Sequence, residues 1–241
     1  RPYSNFLANI MPVIRPASER FHTHIDWLDS WHSFSFGNHF DPKWAGFGPL
    51  LVINDDTVSP RRGFGMHPHR DMEIITIMVE GELQHSDSMG NTEQLRPGEV
   101  QRMSAGRGLV HSEQNASDTS CRLLQIWIVP ETKGTPPSYE QKLFDYSGGW
   151  TCILDPNKNH DTMAINQNVR LWRNKLVSQQ KIDWPTRIDG EKKIWMQMID
   201  GTLQIPWLLN KGDGIGFSYP EDLPQAEAGE QGADVLLFEI N

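Results

Sequence analysis

The feature that most constrains this chain is a pattern that occurs twice. "VEGELQ" at 79–84 is matched by "IDGTLQ" at 199–204, "RPGE" at 96–99 by "NKGD" at 210–213, and "RLLQIWI" at 122–128 by "VLLFEI" at 235–240. The matches keep their order. The second and third markers start 26 residues apart in the first copy and 25 in the second, while the first interval shortens from 17 to 11. A glycine turn between short apolar runs is the signature of a hairpin, and hairpins recurring in two matched sets predict a duplicated β-barrel. With 16 prolines and 20 glycines in 241 residues, turns are frequent enough for two such barrels.

The reading along the chain follows from this. Residues 1–12 are set aside as a tail or expression remnant, because 1–10 lack an initiator Met. Residues 13–140 form the first domain and 141–241 the second. "EIITIMVEGELQH" reads as strand, turn and return strand, "CRLLQIWIVP" as a buried strand ended by Pro130, and "NVRLWRNKLV" as a further strand. "PPSYEQKLFD" reads as a linker with at most a short helix. Trp27, Trp31, Trp44 and Trp127 sit in apolar surroundings that suit core packing.

Several function classes are excluded at this stage. A net charge of −9 argues against direct nucleic-acid binding, which needs a cationic face. No apolar run approaches the ~18 residues that span a bilayer, and no stretch combines the parts of a secretion signal. Cys121 and Cys152 stand in unrelated contexts, as expected of reduced thiols in a cytoplasmic protein.

Two pairs of polar residues carry the chemistry. In "GMHPHRDMEI", His67 and His69 lie at i and i+2, so in a strand they share a face. In "RGLVHSEQN", His111 and Glu113 repeat that spacing. Inward faces of barrel strands converge, which predicts a centre of three imidazoles and one carboxylate. Glu73 competes with Glu113 as the acidic ligand. It lies about 13 Å along an extended strand from His69, against about 7 Å between His111 and Glu113. Glu113 is therefore preferred, with Glu73 as a hydrogen-bond partner for a histidine N–H.

Other histidines carry less. His22, His24 and His32 include another H-x-H, with Asp26 on the same alternation, but no second pair completes a site, so they read as hydrogen-bonded structural residues. His39, His85 and His160 stand alone and read as surface or structural. "HPHRDM" also partly matches the H-x-H-x-D-H signature of metallo-β-lactamase-type hydrolases. Met72 occupies the place of its third histidine, and the βαβ alternation of that fold is missing.

"GFGMHPHRDMEIITIMVEG" and "PGEVQRMSAGRGLVHSEQN" resemble the two cupin motifs in the form used by the pirin family. "WLDSWHSFSFGNHFDP" and "LLQIWIVP" are similar to pirins too, especially bacterial ones with quercetinase activity. The resemblance is strong over about residues 13–145 and holds in outline beyond. Ser104, where cupins often have proline, and the long Gly106–His111 interval depart from the general motif in the manner of pirins.

The resemblance implies an all-β bicupin, two tandem jelly-roll barrels, with one divalent metal in the first barrel; the second half keeps only His160 and no H-x-H pair, so no metal is expected there. It implies His67, His69, His111 and Glu113 as ligands. Fe(II) ranks first as the ion, with Mn, Ni, Co, Cu and Zn as the other choices. The implied activity is cleavage of the heterocyclic ring of flavonols such as quercetin by O2, with loss of carbon monoxide. Glu113 would be the general base, and Ile75 and Ile77 would line the pocket. The alternative is a non-catalytic iron-binding regulator with a protein partner, acting as a transcriptional cofactor or a modulator of a metabolic enzyme.

Overall fold

A computed structural model describes residues 12–185, 192–218 and 225–241. Residues 1–11, which hold most of the expected tail, lie outside the described residues, as does the side chain of His160. The described chain is built of strands, with helical structure limited to three-residue 3₁₀ turns such as Pro42–Trp44. No helix among the described residues is long and apolar enough to cross a membrane.

The chain divides into two compact units. The first holds residues 20–144 together with 165–167 and consists of two sheets. The seven-stranded sheet runs Ser138–Leu143, Glu99–Ser104, Glu73–Glu80, Cys121–Ile128, Leu50–Val58, Leu28–His32, Phe21–His24, each strand pairing with the next. The four-stranded sheet runs Gly63–His69, Leu109–Gln114, Leu83–Asp87, Thr92–Leu95.

The second unit holds residues 145–164 and 168–241 together with the described part of the N-terminal segment to Glu19. Its main sheet runs Val13–Arg15, Gly214–Ser218, Lys193–Gln204, Ala226–Ile240, Val169–Leu176, Thr151–Leu154. The central four strands repeat the order of their counterparts in the first unit, which is the duplication expected from the markers. The marker glycines sit at equivalent positions, Gly81, Gly98 and Gly212 at turns or bends and Gly201 at a bulge within its strand. Gly81 and Gly201 have φ of 70° and 75°, and Gly98 and Gly212 have 87° and 83°. L-residues with a side chain rarely adopt that region. At Gly201 a Cβ would also strike the Gly232 carbonyl.

The domain limits differ from those expected. Val13–Arg15 pairs with Gly214–Ser218, and the Ala17 amide donates to Asp213 Oδ1 at 2.7 Å, so this segment completes the second unit. Ser138–Leu143, read as a linker, is an edge strand paired with Glu99–Ser104. Its polar composition hid it: an edge strand half-open to water needs no apolar run. The first unit therefore extends to Phe144.

Inside the first unit, two apolar clusters flank a polar belt. One cluster contains Val58, Met78, Leu83, Leu95, Cys121 and Leu123. The other contains Ile74, Met103, Ala105 and Leu109, with Trp127 against it. Between them, directly opposed residues share a face, and His32, Asn54, Gln125, Thr76 and Gln101 stand opposite one another in that order across five strands. Both cysteines are buried free thiols.

Candidate metal centre

His67 and His111 are register partners on neighbouring strands. Just beyond them the ladder slips, Glu113 standing opposite Phe64. Such a bulge turns the local twist and re-aims side chains. His111 and Glu113 still share the inward face, each about 1% exposed. Donor atoms of His67, His69 and His111 lie within 4.8 Å of one another, and the Nε2 atoms of His67 and His111 are 2.8 Å apart. His67 Nδ1 donates to the Gly65 carbonyl at 2.6 Å. That contact fixes the tautomer and leaves the Nε2 lone pair facing the other two rings.

Burial, reinforced by the neighbouring His67, lowers the pKa of His69 to about 4. Burial, then the neighbouring histidines, lowers that of His111 to about 3. Both rings are neutral at pH 7, the form that ligates a metal. The His69 Nε2 atom is buried without a hydrogen-bond partner, a costly arrangement unless an ion or ligand compensates, while the buried His111 Nδ1 faces the Glu113 carboxylate. The three rings therefore fit a divalent transition metal.

Glu113 lies beside the triad, its Oε1 3.6 Å from His111 Nδ1. Burial, with the charge of Asp56 added, raises its pKa to about 8 against the opposing hydrogen bond from Gln125. Gln125 Nε2 donates to both carboxylate oxygens, at 2.9 and 3.0 Å, and Gln125 Oε1 accepts from the Trp127 indole at 3.1 Å. Trp127 in turn stands edge-on to His69, 5.2 Å between centroids. It is thus part of the site's wall as well as of the core.

Two expectations need correction, and a third is narrowed. Glu73 is buried, but its Oε1 accepts from the Asn166 amide at 2.7 Å, so it anchors the 165–167 segment and bonds no histidine. Ile75 and Ile77 stand opposite Ile126 and Leu124, on the sheet face away from Gln125, so they do not line the site. His85, read as surface or structural, is the latter, buried behind His111. It is held by Asp87 at 2.7 Å and Gln101 at 2.8 Å and stacked on Tyr139.

A groove of about 500 Å³ opens beside His69, lined by Pro68, Arg70, Arg107, Leu109 and Val110 among others. Sequence reasoning missed Gln125, Trp127 and this groove. The one available signal was the break in apolar character at Gln125 within "RLLQIWI".

Residues 14–128 match the Pirin family model and residues 152–240 the Quercetinase C-terminal cupin domain. The chain is 41% identical over 232 residues to the quercetin 2,3-dioxygenase of Escherichia coli K12, covering 95% of this chain and 99% of that one. A putative quercetin 2,3-dioxygenase of Pasteurella multocida is also 41% identical, covering 94% and 98%. The crystal structure of YhhW from Escherichia coli superposes with a TM-score of 0.89 at 40% identity, covering 96% and 98%. The structure of that bacterial pirin with nickel(II) gives 0.87 at 40% identity, covering 95% and 99%.

Proposed function

The chain belongs to the pirin family, a bicupin, and from that premise we propose that it is a metal-dependent dioxygenase of the quercetinase type, acting on a flavonol or related enol. The observation that carries this reading is the convergence of three imidazoles beside one buried, tethered carboxylate. His67, His69 and His111 would hold the ion, with Glu113 as the fourth ligand. Fe(II) is our first choice and Ni(II) the second, since nickel occupies the related bacterial pirin.

A divalent ion held there supplies Lewis acidity toward an enol oxygen, positive charge that favours ionised Glu113, and coupling of the electron-rich substrate to O2. In our reading Glu113 takes the 3-hydroxyl proton of the flavonol onto a carboxylate oxygen. Gln125 keeps that carboxylate pointed inward, and Trp127 fixes Gln125. The groove beside His69 receives the aromatic rings against Pro68 and Leu109. Overall, one flavonol and one O2 give carbon monoxide, from C3 and its oxygen, and a ring-opened ester acid that keeps both oxygen atoms of O2.

The test is O2 uptake by chelator-stripped protein reloaded with Fe(II), Mn(II), Ni(II), Co(II) or Cu(II), against quercetin and a small panel of enols. Uptake that needs both metal and His111 is expected. No uptake with any ion would leave the regulatory reading in its place.

A further inference from the structure

We propose that His22, His24 and Asp29 form a second, surface binding site for a borderline divalent transition-metal ion such as Zn2+, Ni2+ or Cu2+. The strand Phe21–His24 lies at the open edge of the seven-stranded sheet. Its alternation turns both imidazoles outward. The sequence pairs them with Asp26, but Asp26 is occupied by Arg62 at 3.3 Å. The neighbouring strand supplies the carboxylate instead: Asp29 stands directly opposite His24.

The donors converge on one point. Asp29 Oδ1 meets His22 Nε2 at 2.5 Å and His24 Nδ1 at 3.1 Å, and the three donors lie within 4.8 Å of one another. A tetrahedral ion with bonds near 2.0–2.2 Å needs its ligand atoms roughly 3.3 Å apart, so modest side-chain rotation would suffice. His22 is already oriented. Its ring lies flat on Trp31, 3.7 Å between centroids and 4° between planes, and the Arg20 guanidinium sits 5.2 Å from the same indole. Pre-orientation lowers the entropy lost on binding.

Ligand chemistry selects the ion. Two imidazoles and one carboxylate suit Zn, Ni and Cu, whereas Ca2+ and Mg2+ prefer all-oxygen shells. The His24 and Asp29 side chains are 72% and 40% exposed, so the ion can enter freely and water can complete its shell. The site shares no residue with the triad of His67, His69 and His111.

Equilibrium dialysis of the chelator-stripped full chain against Zn2+, with elemental analysis, tests this. The parent should take up two ions per chain, one tight and one weaker. His24→Ala and Asp29→Asn should each weaken the second by at least tenfold and leave the tight ion in place. His67→Ala should do the reverse. His24 is exposed enough that its loss leaves folding intact. One ion per chain in the parent, or a second ion that survives either His24→Ala or Asp29→Asn, would overturn the proposal.

Discussion

Gln125 and Glu113 are joined by one amide nitrogen donating to both oxygens of one carboxylate, at 2.9 and 3.0 Å. The amide can do this because its own carbonyl is occupied by Trp127, which fixes which end of Gln125 faces the acid. Gln125→Leu keeps the volume and removes the donor. A buried group stripped of its partner costs about 1–3 kcal/mol, and the freed carboxylate loses its orientation. The expected outcome is a fall in flavonol turnover of at least tenfold with metal content nearly unchanged, read as rate per bound ion.

His67→Ala or His111→Ala should lower tightly bound metal by at least tenfold while leaving the sheets folded. Even changes to the partners of metal ligands cost about 10- to 100-fold in affinity or activity, and these rings stand closer. His24→Ala should leave the tightly held ion that survives purification in place. Elemental analysis of the three variants checks this, and normal metal in His67→Ala would sink the assignment.

Glu113→Gln keeps shape and an oxygen donor but removes the basicity. General-base assistance contributes about 10² to 10⁴-fold, and a loss of that order is expected at equal metal occupancy. If Glu113 merely balanced the ion's charge, rate loss would track metal loss, and excess metal would restore it.

Asp56 is buried in the same unit, accepting from the Ser30 hydroxyl. Burial, with the nearby Asp55 and Asp29 charges and against the Ser30 hydrogen bond, raises its pKa to about 7. The folded state therefore holds this proton more tightly than the unfolded chain does. Its stabilising contribution is full below about pH 4 and lost as pH rises to about 7, at up to about 1.4 kcal/mol per unit. Asp56→Asn abolishes that loss, so the stability of the variant relative to the chelator-treated parent should climb across this window. The lowered pKa values of His69 and His111 act with opposite sign but are common to both proteins, while the raised pKa of Glu113, to which the Asp56 charge contributes, is partly relieved in the variant and adds to the climb. Denaturant unfolding at several pH values reads it, and a constant difference would refute it.

Much of the fold was legible because its punctuation is local. The glycines at 81, 98 and 212 mark turns or bends that a positive φ closes, Gly201 marks a bulge at the equivalent of Gly81, and their order carries the duplication. The histidine pairs were legible for the same reason, since i, i+2 spacing sets the face. What escaped depends on pairing between distant strands. Nothing local shows that Gln125 stands opposite Thr76, the parity that turns Ile75 and Ile77 away from the site. Nor does anything local announce Asn166, whose amide takes up Glu73. Asp26 is the carboxylate nearer to His24 in sequence, and only the strand register brings Asp29 to it. Val13–Arg15 completes a sheet whose pairing strand begins about 200 residues later, a relation no local pattern encodes.

The central claim, that the His67, His69 and His111 centre with Glu113 oxidises a flavonol, is tested most directly by gas stoichiometry. Metal-reloaded protein is incubated with quercetin in a closed vessel while O2 consumed, quercetin lost and carbon monoxide released are measured together. The account predicts equal amounts of all three in the parent and none in His111→Ala. Full metal loading with no quercetin consumed, or quercetin lost without carbon monoxide, would contradict it.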